Sequence, residues 1–177
     1  DGLYGSIGRK LRAMARSYKH TIATRVANIL NNGFDSDYTG GDGVELFSAS
    51  HALKSGGTGS NILTNAADLS ETSLEDLMIQ VANTTDDRGL PIDMETQTLV
   101  IPTALRFTAH RILQSTGRVD TANNDINAIK DMGLLPGGVV IDKRLTDTDA
   151  WFVTTDCPDG LKYIDRKPVA TKMEGDF

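Results

Sequence analysis

Hydrophobic residues recur at intervals of three and four over the first thirty residues of the chain. The positions are Leu3, Ile7, Leu11, Met14, Tyr18, Ile22, Val26 and Leu30. This spacing predicts one long amphipathic α-helix over residues 3–32, which ends at Gly33 because glycine tolerates the conformation of a helix terminus. At 1.5 Å per residue the rod is about 45 Å long, comparable with the body of a compact chain of this size. We therefore expect the apolar stripe to pack along that body.

The helix face opposite the first half of this stripe is basic. It carries Arg9, Arg12, Arg16 and Lys19, and residues 2–32 contain no acid. Like charges at helical spacing cost roughly a few tenths of a kcal/mol per pair, so this face requires counter-charge from outside the helix. Acids elsewhere in the chain, acids of another subunit and phosphates are all candidate sources. We treat these four side chains as a candidate surface toward DNA or neighbouring subunits.

A loop-rich region follows the long helix. Residues 33–43 and 48–66 are rich in turn-forming residues, and a short strand is predicted between them at 44–47. The sequence Thr72-Ser73-Leu74-Glu75 has the spacing of a capping box, and the hydrophobic periodicity after it predicts a helix that ends near residues 87–89.

Shorter patterns in the second half of the chain predict a mixed or antiparallel sheet. A buried strand is predicted at 98–101, followed by a helix that begins at Pro102 and ends at Gly117. That helix is expected to bury Leu105, Ala109, Ile112 and Leu113. A short helix at 124–132 is expected to carry Ile126 and Ile129. The remaining predicted strands are 139–141 and 151–153, joined by a polar turn, and 161–164. The predicted fold class is therefore α+β.

Charge is divided unevenly along the chain. Residues 1–32 carry six bases and one acid, residues 33–177 carry twelve bases and 23 acids, and the net charge is −6. Either the acidic body neutralises the basic helix, or the helix meets a separate polyanion or partner. The single cysteine, Cys157, excludes an intramolecular disulfide and fits a reducing site of synthesis. Because the chain begins at Asp1, we interpret it as a processed product or an excised piece.

Motifs for catalysis and for ligand binding are weak in this sequence. Asp35-x-Asp37 resembles the start of a calcium loop, but Leu46 stands at the twelfth position, where glutamate is required. Hydroxyls adjoin His51, yet sequence neighbours rarely form a catalytic pair. The other candidates are isolated or lie in polar turns: His20, His110, Gly57-Thr58-Gly59, Asp147, Asp149 and Cys157. We predict no enzyme activity, no metal site and no cofactor. No apolar run reaches the roughly eighteen residues of a transmembrane helix, so we expect no membrane contact.

Six stretches of the chain resemble a known family of structural proteins. They are 41–51 (GDGVELFSASH), 65–70 (NAADLS), 87–92 (DRGLPI), 99–105 (LVIPTAL), 124–129 (NDINAI) and 147–152 (DTDAWF). In this order they resemble the major capsid protein of tailed bacteriophages, of the Mu-like major head subunit group with the Hong Kong 97-type capsid fold. The resemblance covers essentially the whole chain, and its specificity lies in the number and order of the stretches.

The resemblance implies a division into domains. Residues 1–69 resemble the spine helix and following loops of the peripheral domain, and residues 70–165 resemble the axial domain. Residues 166–177 would begin the return to the peripheral domain. The N-terminal arm, the extended loop and the closing strands of the family are expected outside this chain.

The resemblance also implies a structural function. Copies would form hexamers and pentamers of an icosahedral head that encloses double-stranded DNA, with scaffold and portal proteins as partners. Assembly would take place in the host bacterial cytoplasm, and the product would be the virion capsid. Two alternatives remain: an encapsulin-like nanocompartment shell that holds protein cargo, and a small nucleic-acid-binding regulator that uses the basic helix. A regulator would be a soluble monomer or dimer with salt-dependent DNA affinity.

Overall fold

The computed structural model describes residues 3–117, 125–158, 160–164 and 166, and these form an α+β arrangement, as predicted. The helices are α1 (Leu3–Asn31), α2 (Glu71–Ala82), α3 (Arg106–Gln114) and α4 (Ala128–Met132). The strands are β1 (His51–Ala52), β2 (Thr58–Gly59), β3 (Thr96–Ile101), β4 (Val139–Ile141) and β5 (Phe152–Thr155).

Strand β3 is the centre of a three-stranded mixed sheet with the order β4-β3-β5. Strand β4 runs parallel to β3, with Val139 opposite Leu99, and β5 runs antiparallel, with Phe152 opposite Val100. The strands predicted at 98–101, 139–141 and 151–153 and the mixed sheet are thus confirmed. Strands β4 and β5 do not pair with each other, because β3 lies between them. The polar segment that joins them is therefore a crossover and not a hairpin turn.

One cluster of buried side chains joins the sheet to α2, α3 and α4. Leu74, Leu99 and Ile101 are fully buried within it. The other buried members are Leu69, Met78, Ala109, Ile112 and Ile129. Burying a leucine or isoleucine side chain contributes roughly 1.5–3 kcal/mol, so this cluster is the main source of stability in the body. Helices α2, α3 and α4 supply the side chains that pack against the sheet within this cluster.

Helix α1 has the predicted extent, but the predicted packing of its stripe is wrong over much of its length. Residues 9–21 are exposed, and the stripe residues Leu11, Met14 and Tyr18 are 37%, 56% and 41% exposed. Among residues 6–31 of the helix, only Ala27 near the C-terminal end is completely buried. None of the described α1 residues belongs to the buried cluster, whose members come from the sheet, the three shorter helices and Leu69.

The side chain of Asn31 ties the end of α1 to the body. Its Nδ2 donates to the Arg144 carbonyl at 3.0 Å, and its Oδ1 accepts from the Thr146 amide at 3.0 Å. We expect Asn31→Ala to lower the free energy of unfolding by about 1–3 kcal/mol, because two hydrogen bonds are lost. Urea denaturation measures this. The matched control is Asn32→Ala, since the Asn32 side chain forms no hydrogen bond with the described residues; equal effects of the two changes would contradict the prediction.

Helix α2 begins at a different capping box from the one predicted. The N-cap is Ser70, whose hydroxyl accepts from the Ser73 amide at 3.1 Å, while Ser73 Oγ accepts from the Ser70 amide at 2.9 Å. Ser73 Oγ also donates to the Asp68 carbonyl at 2.8 Å. This bond to the preceding segment favours the serine box over the predicted Thr72-Ser73-Leu74-Glu75.

Helix α2 also ends earlier than predicted, at Ala82 instead of near residues 87–89. The following segment is a separate turn. The Asp86 carboxylate accepts from the amides of Arg88 and Leu90, both at 2.9 Å. These local hydrogen bonds compete with helical ones, as short acidic side chains commonly do.

The helices after β3 are shorter than predicted. A 3₁₀ turn at Thr103–Leu105 separates Pro102 from α3, so the proline precedes the helix instead of opening it. Helix α3 ends at Gln114, because Ser115 adopts an extended conformation before Gly117 is reached. The predicted burial of Ala109 and Ile112 is confirmed, and Leu105 and Leu113 pack against the core.

The predicted helix at 124–132 is reduced to α4, and Asn124 lies outside the described residues. Asn127 caps α4 with its side chain. Ile129 is buried, whereas Ile126 precedes the cap and is 72% exposed.

Two predicted strands do not form within the described chain. Residues 44–47 contribute only an isolated bridge between Glu45 and Thr39, because a turn at Gly40–Gly43 bends the chain there. Gly43 has a φ of 85°, which an extended strand does not allow. Residues 161–164 are all exposed and lie outside any described sheet.

Candidate assembly surface

The four predicted basic residues lie together on one exposed face of α1. Arg9, Arg12, Arg16 and Lys19 are all exposed, and their spacing of three and four residues aligns them along the helix. Arg16 Nε lies 3.5 Å from the Arg12 carbonyl, one turn away. We call these four residues the basic face.

The segment that follows α1 has the opposite charge. Residues 33–53 contain no lysine or arginine. Phe34 and Tyr38 are 60% and 59% exposed within it. We call this segment the acidic loop, and its acids are Asp35, Asp37, Asp42 and Glu45. Its position directly after the helix places the two charged surfaces at different ends of α1.

Aromatic stacking attaches the start of the acidic loop to the sheet. The Phe47 ring lies 4.9 Å from Phe34 and 5.1 Å from Phe152, which belongs to β5. Gly33 allows this approach, because a Cβ at that position would overlap the Phe47 ring. The Phe47 amide also donates to the Gly33 carbonyl at 2.8 Å. The loop is thus held at its base, while Phe34 keeps an exposed edge.

The calcium-like motif has a structural use in this loop. Asp35 Oδ1 accepts from the Asp37 amide at 3.0 Å, which closes a local turn. Among the described residues, no three His, Cys, Asp or Glu side chains are arranged to hold a metal ion. Gly57 turns the β1–β2 hairpin with a φ of 91°, so the glycines around Thr58 serve the backbone.

A hydrogen-bonded pair that the sequence pattern did not reveal closes the acidic loop. His51 Nδ1 lies 2.6 Å from Asp42 Oδ2, and both side chains are about one quarter exposed. Asn61 supports the same loop by donating to the Leu46 carbonyl at 2.7 Å and accepting from the Ser48 amide at 2.9 Å. The two partners are nine residues apart with no helical or strand periodicity, so only the folded loop brings them together.

The Asp42–His51 contact shifts both groups toward their charged forms. The hydrogen bond to Asp42 raises the pKa of His51 above its usual value of 6.5, and desolvation opposes this. The hydrogen bond from His51 lowers the pKa of Asp42 below its usual value of 3.8. The pair is therefore an ion pair at mildly acidic pH.

The stability of the acidic loop should depend on pH through this pair. A raised histidine pKa contributes stability that is complete below about pH 6.5 and is lost as pH rises through the folded-state pKa of His51. A lowered aspartate pKa contributes stability that is lost as pH falls through the folded-state pKa of Asp42. We expect hydrogen exchange of the loop amides to quicken, after correction for intrinsic rates, from pH 6 to pH 9.

The control for this pH dependence is a pair of histidine variants. His51→Gln should reduce the difference between pH 6 and pH 9, whereas His110→Gln should leave it unchanged because His110 is exposed on α3. A His51→Gln variant with the full wild-type pH dependence would contradict the assignment.

The other candidate residues do not form a common site. His20 and His110 are exposed on different helices, and Cys157 is a free, exposed thiol. The Asp149 side chain hydrogen-bonds that of Asp147, which lowers the pKa of Asp147 and raises that of Asp149. This exposed pair lies in the crossover before β5. The structure therefore brings none of these side chains together with His51.

A groove that sequence reasoning missed lies between α3, α4 and β4, with a volume of about 820 Å³. Its apolar lining includes Phe107, Leu113, Leu135, Val139 and Ile141. Strand β4 is an edge strand whose three residues are all exposed. Exposed apolar strand edges can pair with strands of other chains. The subunit therefore has a surface suited to association at this edge, in addition to α1 and the acidic loop. The run of three β-branched residues at 139–141 was the available sequence signal.

Comparison with known proteins places these surfaces in context. A family model described as phage capsid protein matches residues 1–177. No curated protein and no solved structure matches the chain. Across the described residues, no helix has both the length and the apolar composition needed to cross a bilayer. The full-length match shows that this chain belongs to the phage capsid protein family, a family of structural proteins of the virion that assemble into oligomeric shells.

Proposed function

We propose that this protein is the major capsid protein of a tailed bacteriophage, of the Mu-like major head subunit group with the Hong Kong 97-type fold. Hexamers and pentamers of the chain assemble into an icosahedral head that encloses double-stranded DNA. Assembly takes place in the host bacterial cytoplasm with the help of scaffold and portal proteins. The family match over residues 1–177 supports the shell function.

The observation that carries this proposal is the exposure of α1. Its residues 9–21 are exposed on the apolar and the basic face alike. An isolated 29-residue helix with exposed apolar side chains gains most of its stability from packing against something else. In a shell, neighbouring subunits supply that packing.

The proposed domain division is consistent with the packing of the body. Residues 1–69 hold α1 and the loops, and residues 70–165 form the axial domain. The buried cluster extends from Leu69 to Ile129, which supports a boundary near residue 70. Residues 166–177 are proposed to begin the return to the peripheral domain, and of these the structure describes only residue 166.

Electron microscopy of the protein purified from producing cells tests this function. We expect closed shells or flat arrays of hexamers, and we expect nuclease-protected double-stranded DNA inside particles from a phage-producing culture. Shells filled with protein and free of DNA would instead indicate a nanocompartment. A monodisperse monomer or dimer whose DNA affinity falls steeply with salt would overturn the proposal and indicate a regulator.

A further inference from the structure

We propose that the basic face of α1 in one subunit binds the acidic loop of a second copy of the chain, in a head-to-tail contact. This inference rests on the proposed shell function and names the partner of the basic face. It places Arg12, Arg16 and Lys19 against Asp37 and Glu45 of the neighbouring subunit.

The charges that this contact would pair are too far apart within one subunit. The acidic loop begins beyond Asn31, which lies about 28 Å from Arg12 and about 18 Å from Lys19 along the helix axis. Charges at the surface are largely screened beyond about 8–10 Å at physiological salt. Among the described residues, Arg12, Arg16 and Lys19 form no ion pair with the acids of the loop in the same subunit.

The side chains of the two surfaces are chemically complementary. Arginine forms bidentate hydrogen bonds with carboxylates, and its guanidinium also packs against aromatic rings. The acidic loop offers both partners, because Asp37 is exposed next to the exposed ring of Tyr38 and close to Phe34. Asp42 is already engaged by His51. The pairing therefore rests mainly on Asp37 and Glu45.

Pairing of α1 with α1 of another subunit is disfavoured by the same charges. The described part of the helix contains no acid, so two such helices offer each other no counter-charge. Lys10 and Arg25 flank the apolar stripe and would meet in an antiparallel pair. The counter-surface must be acidic, and residues 33–177 carry 23 acids against twelve bases.

DNA is a less favourable partner for the basic face than a second subunit. Phosphates would neutralise the arginines but would leave the exposed carboxylates and rings of the acidic loop without a counterpart. The excess of acids outside the helix also repels a polyanion from the rest of the chain. A subunit contact satisfies both surfaces at once.

A head-to-tail contact also has the symmetry that a shell requires. The two surfaces are different, so each subunit contacts one neighbour through its basic face and the other neighbour through its acidic loop. The same contact repeats from subunit to subunit until the ring closes. Rings of this kind are the elements from which hexamers and pentamers are built.

Two charge-reversal variants of the full chain test the inference. The helix variant carries Arg12→Glu, Arg16→Glu and Lys19→Glu. The loop variant carries Ser36→Lys, Asp37→Lys and Glu45→Lys, and it keeps Asp35 because that carboxylate holds the local turn. In each variant alone the two surfaces have like charge. In an equal mixture the contacts between the two variants have opposite charge, and the variants can alternate around a whole hexamer, although a pentamer keeps at least one like-charge contact.

Sedimentation velocity and electron microscopy give the readout. We expect the assembled fraction of each variant alone to be at least ninefold lower than that of the wild type. We expect the mixture to reach at least half of the wild-type assembled fraction. Recovery in the mixture also shows that both variants are folded. The matched control carries Arg111→Glu, Lys143→Glu and Arg166→Glu, three exposed bases that lie outside α1 and outside the groove lining, and should assemble like the wild type.

The remaining outcomes overturn the inference in distinguishable ways. Wild-type assembly by the helix variant alone would remove the basic face from the contact while leaving the shell function intact. Failure of the mixture to assemble, together with loss of DNA retention by the helix variant, would assign the basic face to nucleic acid. Failure of the wild type itself to assemble would overturn both the inference and the proposed function.

Discussion

Replacing Leu74 with alanine should lower the free energy of unfolding by about 2–5 kcal/mol. Leu74 is fully buried in α2, in the cluster that joins this helix to β3 and α3. The truncated side chain leaves a cavity that the surrounding helices close only in part. Since single domains are stable by only about 5–15 kcal/mol, this loss should also reduce the yield of assembled protein. Urea denaturation followed by circular dichroism measures the effect.

The matched control for Leu74→Ala is Ile79→Ala in the same helix. Ile79 is 59% exposed, so its truncation should change the free energy of unfolding by at most about 0.5 kcal/mol. Both changes introduce alanine, the best helix former, so a change in helix propensity does not explain the difference. Similar losses in the two variants would mean that α2 is not packed as described.

Replacing Asn127 with alanine should cost about 2–4 kcal/mol, because one buried side chain joins two helices. Asn127 is 1% exposed, and its Oδ1 accepts from the Lys130 amide at 3.2 Å to cap α4. Its Nδ2 donates to the Ile112 carbonyl and lies 3.3 Å from Ser115 Oγ at the end of α3. The variant loses a helix cap and leaves a buried carbonyl without its donor.

The control for Asn127→Ala is Asn83→Ala at the end of α2. Asn83 is exposed, and its side chain forms no hydrogen bond with the described residues, so we expect a change within about 0.5 kcal/mol. Thermal unfolding of both variants gives the comparison. A loss below about 1 kcal/mol for Asn127→Ala would show that water replaces the side chain at the Ile112 carbonyl.

Local sequence patterns were sufficient to predict the helices and strands whose hydrophobic spacing lies within the element itself. The stripe from Leu3 to Leu30 predicted α1 to within one residue of its end. The apolar runs at 98–101 and 139–141 predicted two strands of the sheet. In these segments backbone propensity and hydrophobic spacing agree, so little depends on distant residues.

Local patterns failed where competing hydrogen bonds decided the outcome. Both Ser70 and Thr72 can cap a helix, and the bond from Ser73 to Asp68 selects the earlier position. The hydrophobic pattern predicted a longer α2, but the Asp86 carboxylate accepts a hydrogen bond from the Arg88 amide, and this local turn replaces the last part of the predicted helix. The strand predicted at 44–47 is replaced by a bridge and a stacked Phe47, because ring packing against Phe152 is a tertiary contact.

The sequence by itself determined the long helix, the α+β class and the segregation of basic and acidic residues along the chain, because spacing and charge are properties of neighbouring positions. Only the tertiary structure decided that the stripe of α1 stays exposed, that Asp42 meets His51 and that β3 separates β4 from β5. These outcomes depend on contacts that exist only in the folded chain. Such contacts join residues that do not share one helix or strand, so no periodicity in the sequence records them.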